Sequence, residues 1–366
     1  MPSSSPEQGY IHSEKLSGTV LAVQANYYQV RLNSCLDYSI PTGLDRSESQ
    51  PLLLCTRRSR LKKIGQQIMV GDQVLIEEPD WAGMRGAISD VLPRQTELDR
   101  PPIANVNQIL LVFALADPPL DAYQLSRFLV RAELTGIKIG LCLSKSDLVS
   151  LEQQRRWQER LQTWGYAAFT VSLHTNQGLE SLNHYLHQSI TVIAGPSGVG
   201  KSSLINHFIP TAKVKVGAVS GKLSRGRHTT RHVELFEIPN GGFLADTPGF
   251  NQPDLKGSPA LLASCFPELR QRLMKQHCQF SNCLHQDEPN CAVVKDWERY
   301  EHYLSFLEIL QQQQPRRAEN TEPRVKSKIK SSGNLQYEPR LALKKYRQPS
   351  RRSQQQALQD LYRESQ

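Results

Sequence analysis

The sequence predicts a multidomain chain: an N-terminal β-barrel, a central α/β domain with helices on both faces of a parallel sheet, and a mostly helical C-terminal domain around a metal site. Three observations predict it. Short β-rich runs such as GTVLAVQANYYQVRL, PLLLC and GDQVLIEE fill residues 16–92. After a proline-bearing joint at residues 100–103 the texture changes to apolar strands alternating with amphipathic helices. Beyond Gln252, three cysteines and a histidine crowd into residues 278–291.

Taken in order, residues 1–15 are expected to be a flexible N-terminus. In the barrel, 16–92, turn-formers separate the β-rich runs and no long helical pattern intervenes. An OB-fold is the first candidate, because such barrels present loops and a sheet face to oligonucleotides. Arg57, Arg58, Arg60, Lys62 and Lys63 form a basic run placed on a loop, and Tyr27, Tyr28 and Trp81 serve either as base-stacking platforms or as packing residues. The central domain, 103–252, has strands expected at 108–114, 138–143, 168–172, 191–194, 233–238 and 242–245, with helices near 123–134, 151–164, 179–187 and 201–208. The third domain, 253–312, is expected to end in a helix over 294–310, and 313–366 form a basic, flexible tail. There is no internal repeat.

Composition narrows the class. With 366 residues, 39% hydrophobic and 22% charged, the chain can bury several cores and is globular. Its start, MPSSSPEQGYIHSEKL, has no basic stretch followed by an apolar one. The longest apolar run, 109–116, falls far short of the ~20 residues that cross a bilayer. The expectation is a soluble, monomeric, cytoplasmic protein with no membrane contact. Seven cysteines, an odd number, suit a metal site in a reducing compartment better than a disulfide framework. The net charge of +9 is local: from Pro315 onward there are 13 Lys and Arg against 5 Asp and Glu, leaving +1 for everything before. A basic arm of that kind either contacts a phosphate backbone or is a solvated tail.

The chemistry is carried by four motifs. GPSGVGKS, residues 195–202, follows the apolar strand TVIA and opens a helix, which is the context of a phosphate-binding P-loop. Gly195, Gly198 and Gly200 let the backbone turn its N–H groups inward, and Pro196, Ser197, Val199 and Ser203 complete the predicted phosphate-binding set. Lys201 is expected at the β- and γ-phosphates and Ser202 on Mg²⁺. DTPG, residues 246–249, ends a second apolar strand; Asp246 can hold Mg²⁺ through water and the Gly249 amide can meet the γ-phosphate. GRHTTRH, residues 226–232, lies between them, and either Thr229 or Thr230 can complete the Mg²⁺ shell. SKSD follows another strand. Its Asp147 can accept from guanine N1–H and the exocyclic amine, while Lys145 packs along the base, with Ser144 and Ser146 framing both. Because SKSD precedes the P-loop, with SLHT at residues 172–175 also before it, the order is circularly permuted relative to ordinary GTP hydrolases.

A β-barrel, then SKSD, GPSGVGKS, GRHTT and DTPGF, then a Cys/His cluster resembles the RsgA (YjeQ-type) GTPases that depend on the small ribosomal subunit, over roughly residues 15–310. The resemblance implies an OB-fold, a permuted GTPase domain and a zinc-bound module, with the small ribosomal subunit and its rRNA as partners late in maturation and GTP and GDP as ligands. It also marks His228 as catalytic, an imidazole that holds the attacking water, alongside Lys201 and the neighbouring threonines. The sequence departs from the family at Ser144, where Asn is usual; a shorter side chain is expected to brace the base or the P-loop less well.

Two further expectations come from the residues themselves. Phe250 stands where many self-sufficient GTPases carry a water-orienting Gln, so intrinsic turnover is expected to be slow, with a water-positioning group coming from elsewhere; the resemblance implies that the small ribosomal subunit stimulates it. Cys278, Cys283, His285 and Cys291 offer three thiolates and an imidazole, enough for one closed, structural Zn²⁺ shell; Cys35, Cys55, Cys142 and Cys265 are read as core residues. Two alternatives fit the same motifs: a nucleotide-switched RNA-binding scaffold with incidental turnover, and a P-loop ATPase.

Overall fold

The computed structural model describes residues 16–33, 51–99, 101–210, 233–239, 241–246, 254–321, 325–329 and 335–339. The N-terminal barrel is built from β1 (Leu16–Gln24), β2 (Tyr27–Leu32), β3 (Leu52–Arg57), β4 (Gln73–Asp80) and β5 (Arg85–Val91). It closes in the order β1-β2-β3-β5-β4, with β4 pairing back onto β1 and β3 running parallel to β5. That is the five-stranded OB arrangement. Period-two alternation sends Val20, Tyr28, Val30, Leu53, Cys55, Val74, Ile76 and Ile88 into its core. Tyr28 is therefore a packing residue, whereas Tyr27 is 53% exposed. The basic run does not lie on a loop: Arg57 ends β3 and the rest sits on or beside a short helix, α1 (Ser59–Lys63), pinned by Leu61, which the hydrophilic sequence around it conceals.

A hairpin of β6 (Glu97–Asp99) and β7 (Pro102–Ala104) makes the joint. Beside it the fully buried Asp72 accepts from the Arg94 Nε at 2.8 Å and from the Met69 N–H at 2.7 Å.

The central domain begins with β8 (Gln108–Ala114), α2 (Ala122–Glu133), β9 (Lys138–Ser144), α3 (Leu151–Thr163), β10 (Ala168–Thr170), α4 (Leu179–Leu186), β11 (Ile190–Ala194) and α5 (Lys201–Phe208). It is completed by β12 (Leu235–Glu237) and β13 (Phe243–Asp246). The six strands order as β10-β9-β8-β11-β13-β12, all parallel except β12. Numbered from β11 through β13 and then from β8, the sheet reads 2-3-1-4-5-6 from the β12 edge. A doubly wound sheet therefore has its central strand placed fourth in the chain. Strand β8 is buried on both faces: Ile109, Leu111 and Phe113 meet α2 and α3, while Leu110, Val112 and Ala114 meet α4 and α5.

The barrel touches the sheet at its β12 edge, where Ala22 bridges Glu234 and Arg31 pairs with Glu237. Following the sheet come α6 (Pro259–Leu262), α7 (Pro267–Lys275) and α8 (Tyr300–Thr321). Phe266, Trp297, Tyr303 and Phe306 form their core, against Val130 of α2. The last helix starts at Tyr300 instead of 294, because residues 291–299 are held by the metal cluster and by Arg299. Arg299 is fully buried: its Nε donates to Glu268 at 2.8 Å and its guanidinium lies over the rings of Trp164 and Phe266. Trp164 Nε1 in turn donates to Glu298 at 2.8 Å.

The chain divides into two compact units, Met1–Leu310 and Gln311–Gln366, the second containing an antiparallel hairpin of β14 (Val325–Ile329) and β15 (Leu335–Pro339). Among the described residues, no helix is long and apolar enough to cross a membrane.

Candidate nucleotide site and metal centre

At the carboxyl end of β11 the chain turns sharply and enters α5, at the point where successive connections diverge to the two sides of the sheet. Gly195, Gly198 and Gly200 all adopt positive φ here. Gly195 has φ +145°, and a Cβ on it would lie 2.1 Å from the Val112 carbonyl oxygen. Gly200 caps α5 with φ +95°, a left-handed conformation that leaves the first helical N–H groups open toward a phosphate. Lys201, the first residue of α5, folds its ammonium back over the loop and donates to the carbonyls of Gly195 (2.9 Å) and Pro196 (2.5 Å). Ser202 and Ser203 follow in the first turn, half-buried. A glycine-rich turn into a helix N-terminus, with a cation folded over it, is suited to receive an anion.

Two strands away, across β8, β9 ends in Ser144, whose buried hydroxyl donates to the Val199 carbonyl at 2.6 Å; the Phe113 carbonyl is farther, at 3.3 Å. A hydroxyl has one proton, so the short contact is the bond. β9 and the loop lie close enough for the short serine side chain to span them. Lys145 follows in the left-handed region, φ +55°, and its ammonium is held by the backbone carbonyl and carboxylate of Asp117 in the loop after β8. Asp147 begins to face solvent, and its Oδ1 accepts from the Ser172 hydroxyl at 2.6 Å. That bond holds the carboxyl below its ordinary range, with a smaller contribution from nearby His174 and Lys145. Ser172 is itself fixed by accepting from the N–H groups of His174 (3.2 Å) and Thr175 (3.1 Å). The carboxylate is therefore ionised, oriented and accessible.

Ser144, Lys145, Ser146 and Asp147 and the P-loop residues 195–203 are thus brought to one edge of the sheet. Asp246 ends β13 beside β11, in register with Ile193. His228, Thr229, Thr230, Gly249 and Phe250 lie outside the described residues, as does Cys35. Sequence reasoning passed over Asp117 as the partner of Lys145; no local motif marks it, because the contact crosses two strand ends.

The metal cluster assembles as its spacing predicts. The Sγ atoms of Cys278, Cys283 and Cys291 each lie 3.5 Å from His285 Nδ1, and Cys291 Sγ lies 3.9 and 3.7 Å from the other two sulfurs. A tetrahedral ion with bonds of ~2.3 Å to sulfur and ~2.0 Å to nitrogen requires edges of about 3.8 Å (S–S) and 3.5 Å (S–N), so the donor set fits. The loop is built to hold it. Glu288 accepts from the N–H groups of Leu284 (2.6 Å) and Gln286 (2.8 Å), and the N–H groups of Ala292 and Val293 point at Cys278 and Cys291 Sγ, both at 3.4 Å. Tyr303 Oη donates to the Leu284 carbonyl at 2.7 Å, tying α8 to the ligand loop. This Cys₃His cluster can hold one metal ion. Cys55, Cys142 and Cys265 are buried away from it; burial pushes the first two thiols up to about 12 and Cys265 to about 11.

Comparison with known proteins agrees with this geometry. A family model described as RsgA GTPase matches residues 91–256. The small ribosomal subunit biogenesis GTPase RsgA of Trichormus variabilis is 59% identical over 363 residues, covering 96% of this chain and 98% of that protein. Among solved structures, YloQ, described as a circularly permuted GTPase, matches with a TM-score of 0.65 at 28% identity, covering 83% of this chain and 98% of the other. YjeQ from Thermotoga maritima matches with a TM-score of 0.65 at 29% identity, covering 81% and 99%. Similarity of this depth over nearly the full length of both chains, on a sheet whose P-loop and base loop meet in permuted order, shows that the protein belongs to the RsgA family of GTPases.

Proposed function

We propose that the protein acts on the small ribosomal subunit late in its maturation, contacting rRNA and using GTP hydrolysis to time its own release. The single observation that supports the partner is the relatives' name, small ribosomal subunit biogenesis GTPase, at 54–59% identity over nearly whole chains. Within the site, the N–H groups of residues 197–200 and Lys201 bind the phosphates, Ser202 and Asp246 hold Mg²⁺, and Asp147 reads the guanine edge beside Lys145. His228 holds the water, and Thr229 or Thr230 closes the Mg²⁺ shell. With Phe250 unable to orient water, the rate is low until the subunit orders the site.

The metal is one zinc ion. Three thiolates and an imidazole suit Zn²⁺ and leave no open position, so its role is structural. The basic residues on and around α1 meet the RNA backbone, the protein works as a monomer, and it resides in the cytoplasm, where its substrate is assembled. Steady-state hydrolysis with GTP or ATP, with and without small subunits, tests this. Stimulation confined to GTP plus small subunits is expected; equal use of ATP, or no response to subunits, overturns it.

A further inference from the structure

The base loop has a support that no motif announces. Gln154 lies in the first turn of α3, yet it is only 8% exposed. Its Nε2 donates to the Ser146 carbonyl at 2.8 Å and lies 3.5 Å from the Val149 carbonyl. Ser146 is the residue between Lys145 and Asp147, and it is completely buried. Its own hydroxyl has no hydrogen-bond partner among the described residues. Its backbone N–H reaches the Val171 carbonyl at 3.2 Å, and its own carbonyl accepts the Val149 N–H at 3.3 Å and, in the shorter contact, the Gln154 amide. The helix that carries Gln154 is itself anchored at this end. Ser150 caps α3 and Gln153 returns the bond, a reciprocal capping box.

We infer that Gln154 is a positioning residue for guanine discrimination: its buried amide fixes the Ser146 peptide and so sets where Asp147 presents its carboxylate. The inference rests on the reading that SKSD binds the base. Two neighbours act with it: Ser172 orients the Asp147 carboxylate from the side-chain end, and Gln154 sets the peptide that carries it. An Asp147 displaced by a fraction of an ångström loses its two-pronged contact with N1–H and the 2-amino group, while the phosphate contacts in the P-loop are untouched. The expected signature is therefore selective: weaker guanine nucleotides, unchanged adenine nucleotides and unchanged turnover at saturation.

The test compares Gln154→Met, which keeps the volume and loses the donor, with Gln154→Glu, nearly isosteric and acceptor-only at neutral pH. Arg155→Met on the same turn is the control. Dissociation constants are measured for GTP, ITP, which lacks the 2-amino group, and ATP, together with kcat at saturating GTP and the melting temperature. Loss of one buried hydrogen bond predicts a GTP Kd raised about tenfold. The preference for GTP over ITP should shrink by a similar factor, with ATP binding and kcat unmoved. Equal weakening of GTP, ITP and ATP, or no change in the GTP to ITP ratio, overturns the inference. Asp147→Asn separates the two layers, since an amide favours xanthine over guanine. If it moves preference to XTP while the Gln154 variants leave selectivity intact, the Gln154 assignment fails alone. If it leaves the preference for GTP in place, the base-loop reading fails and takes this inference with it.

Discussion

Ser144 shows how a residue's role depends on a distance that sequence does not carry. The sequence marks SKSD as a candidate base loop and a serine in place of asparagine as a shorter brace, but not how far that brace has to reach. The Val199 carbonyl lies 2.6 Å from its hydroxyl, so one short side chain joins the end of β9 to the P-loop. Ser144→Ala leaves that buried carbonyl unpaired and is expected to destabilise by about 1–3 kcal/mol while weakening GTP binding. Urea unfolding and nucleotide titration read the two effects; an alanine variant with wild-type values in both shows that the hydroxyl braces nothing. His302 is a second case. Burial among Tyr123, Ser126 and Phe306 holds its pKa below the ordinary value, and the cations of Arg299 and Arg160 add to this against Glu298 and Asp121. With the folded pKa depressed, its contribution to stability is complete above about pH 6.5 and declines as pH falls below that toward the folded value. His302→Asn should flatten the dependence of melting temperature on pH between 7 and 5.5, whereas the same slope in both proteins assigns it to other groups.

Among the elements, those read most accurately are the ones whose burial is locally periodic. Strand β8 is an uninterrupted apolar run and α5 follows directly from a P-loop, so both emerge from the sequence at their observed limits. Where tertiary demands override local preference the reading slips. Helical pattern continues backward from Tyr300 toward 294, but the metal ligands turn Ala292 and Val293 toward sulfur, and Trp297 is drawn into the core. Helix α1 was equally hidden, since a single buried Leu61 in a basic run carries no period. The dependence of α8 on the ligand loop yields a prediction. If the cluster holds one zinc ion, as proposed, Cys291→Ser should lower the zinc content measured by elemental analysis and expose residues 278–291 to protease. Retention of zinc and protease resistance by that variant assigns the site a different ligand set. A simpler element-scale effect is expected at α3, where Ser150→Ala removes the cap at a cost of about 1 kcal/mol, measurable by denaturant titration.

On the scale of the whole molecule, the barrel, sheet and C-terminal helices were legible as a sequence of textures, but the contacts that join them were not. Arg299 is the clearest instance. An arginine this deeply buried is rare unless paired, and its partners come from α7 and from the end of α3. Arg299→Leu leaves Glu268 in a site 12% exposed without its cation and is expected to destabilise by about 3–5 kcal/mol, with partial recovery in the Arg299→Leu/Glu268→Leu pair. Equilibrium unfolding checks it: a single variant as stable as the parent means the pair contributes nothing across the junction.

The permuted strand order also governs how the protein is made. Strand β8 can pair along one edge with β9, the next strand of the sheet to be synthesised, but its other edge waits for β11. Their paired residues Gln108 and Thr191 are 83 positions apart. At about 5–20 residues per second, that edge stays open for on the order of 4–17 s. During this interval an apolar half-sheet, already carrying the base loop, exposes unpaired backbone at what will become the molecule's centre, where foreign strands can add. Insertion of β11 then closes that edge and leads directly into the P-loop, passing the open edge outward to β11 until β13 pairs with it.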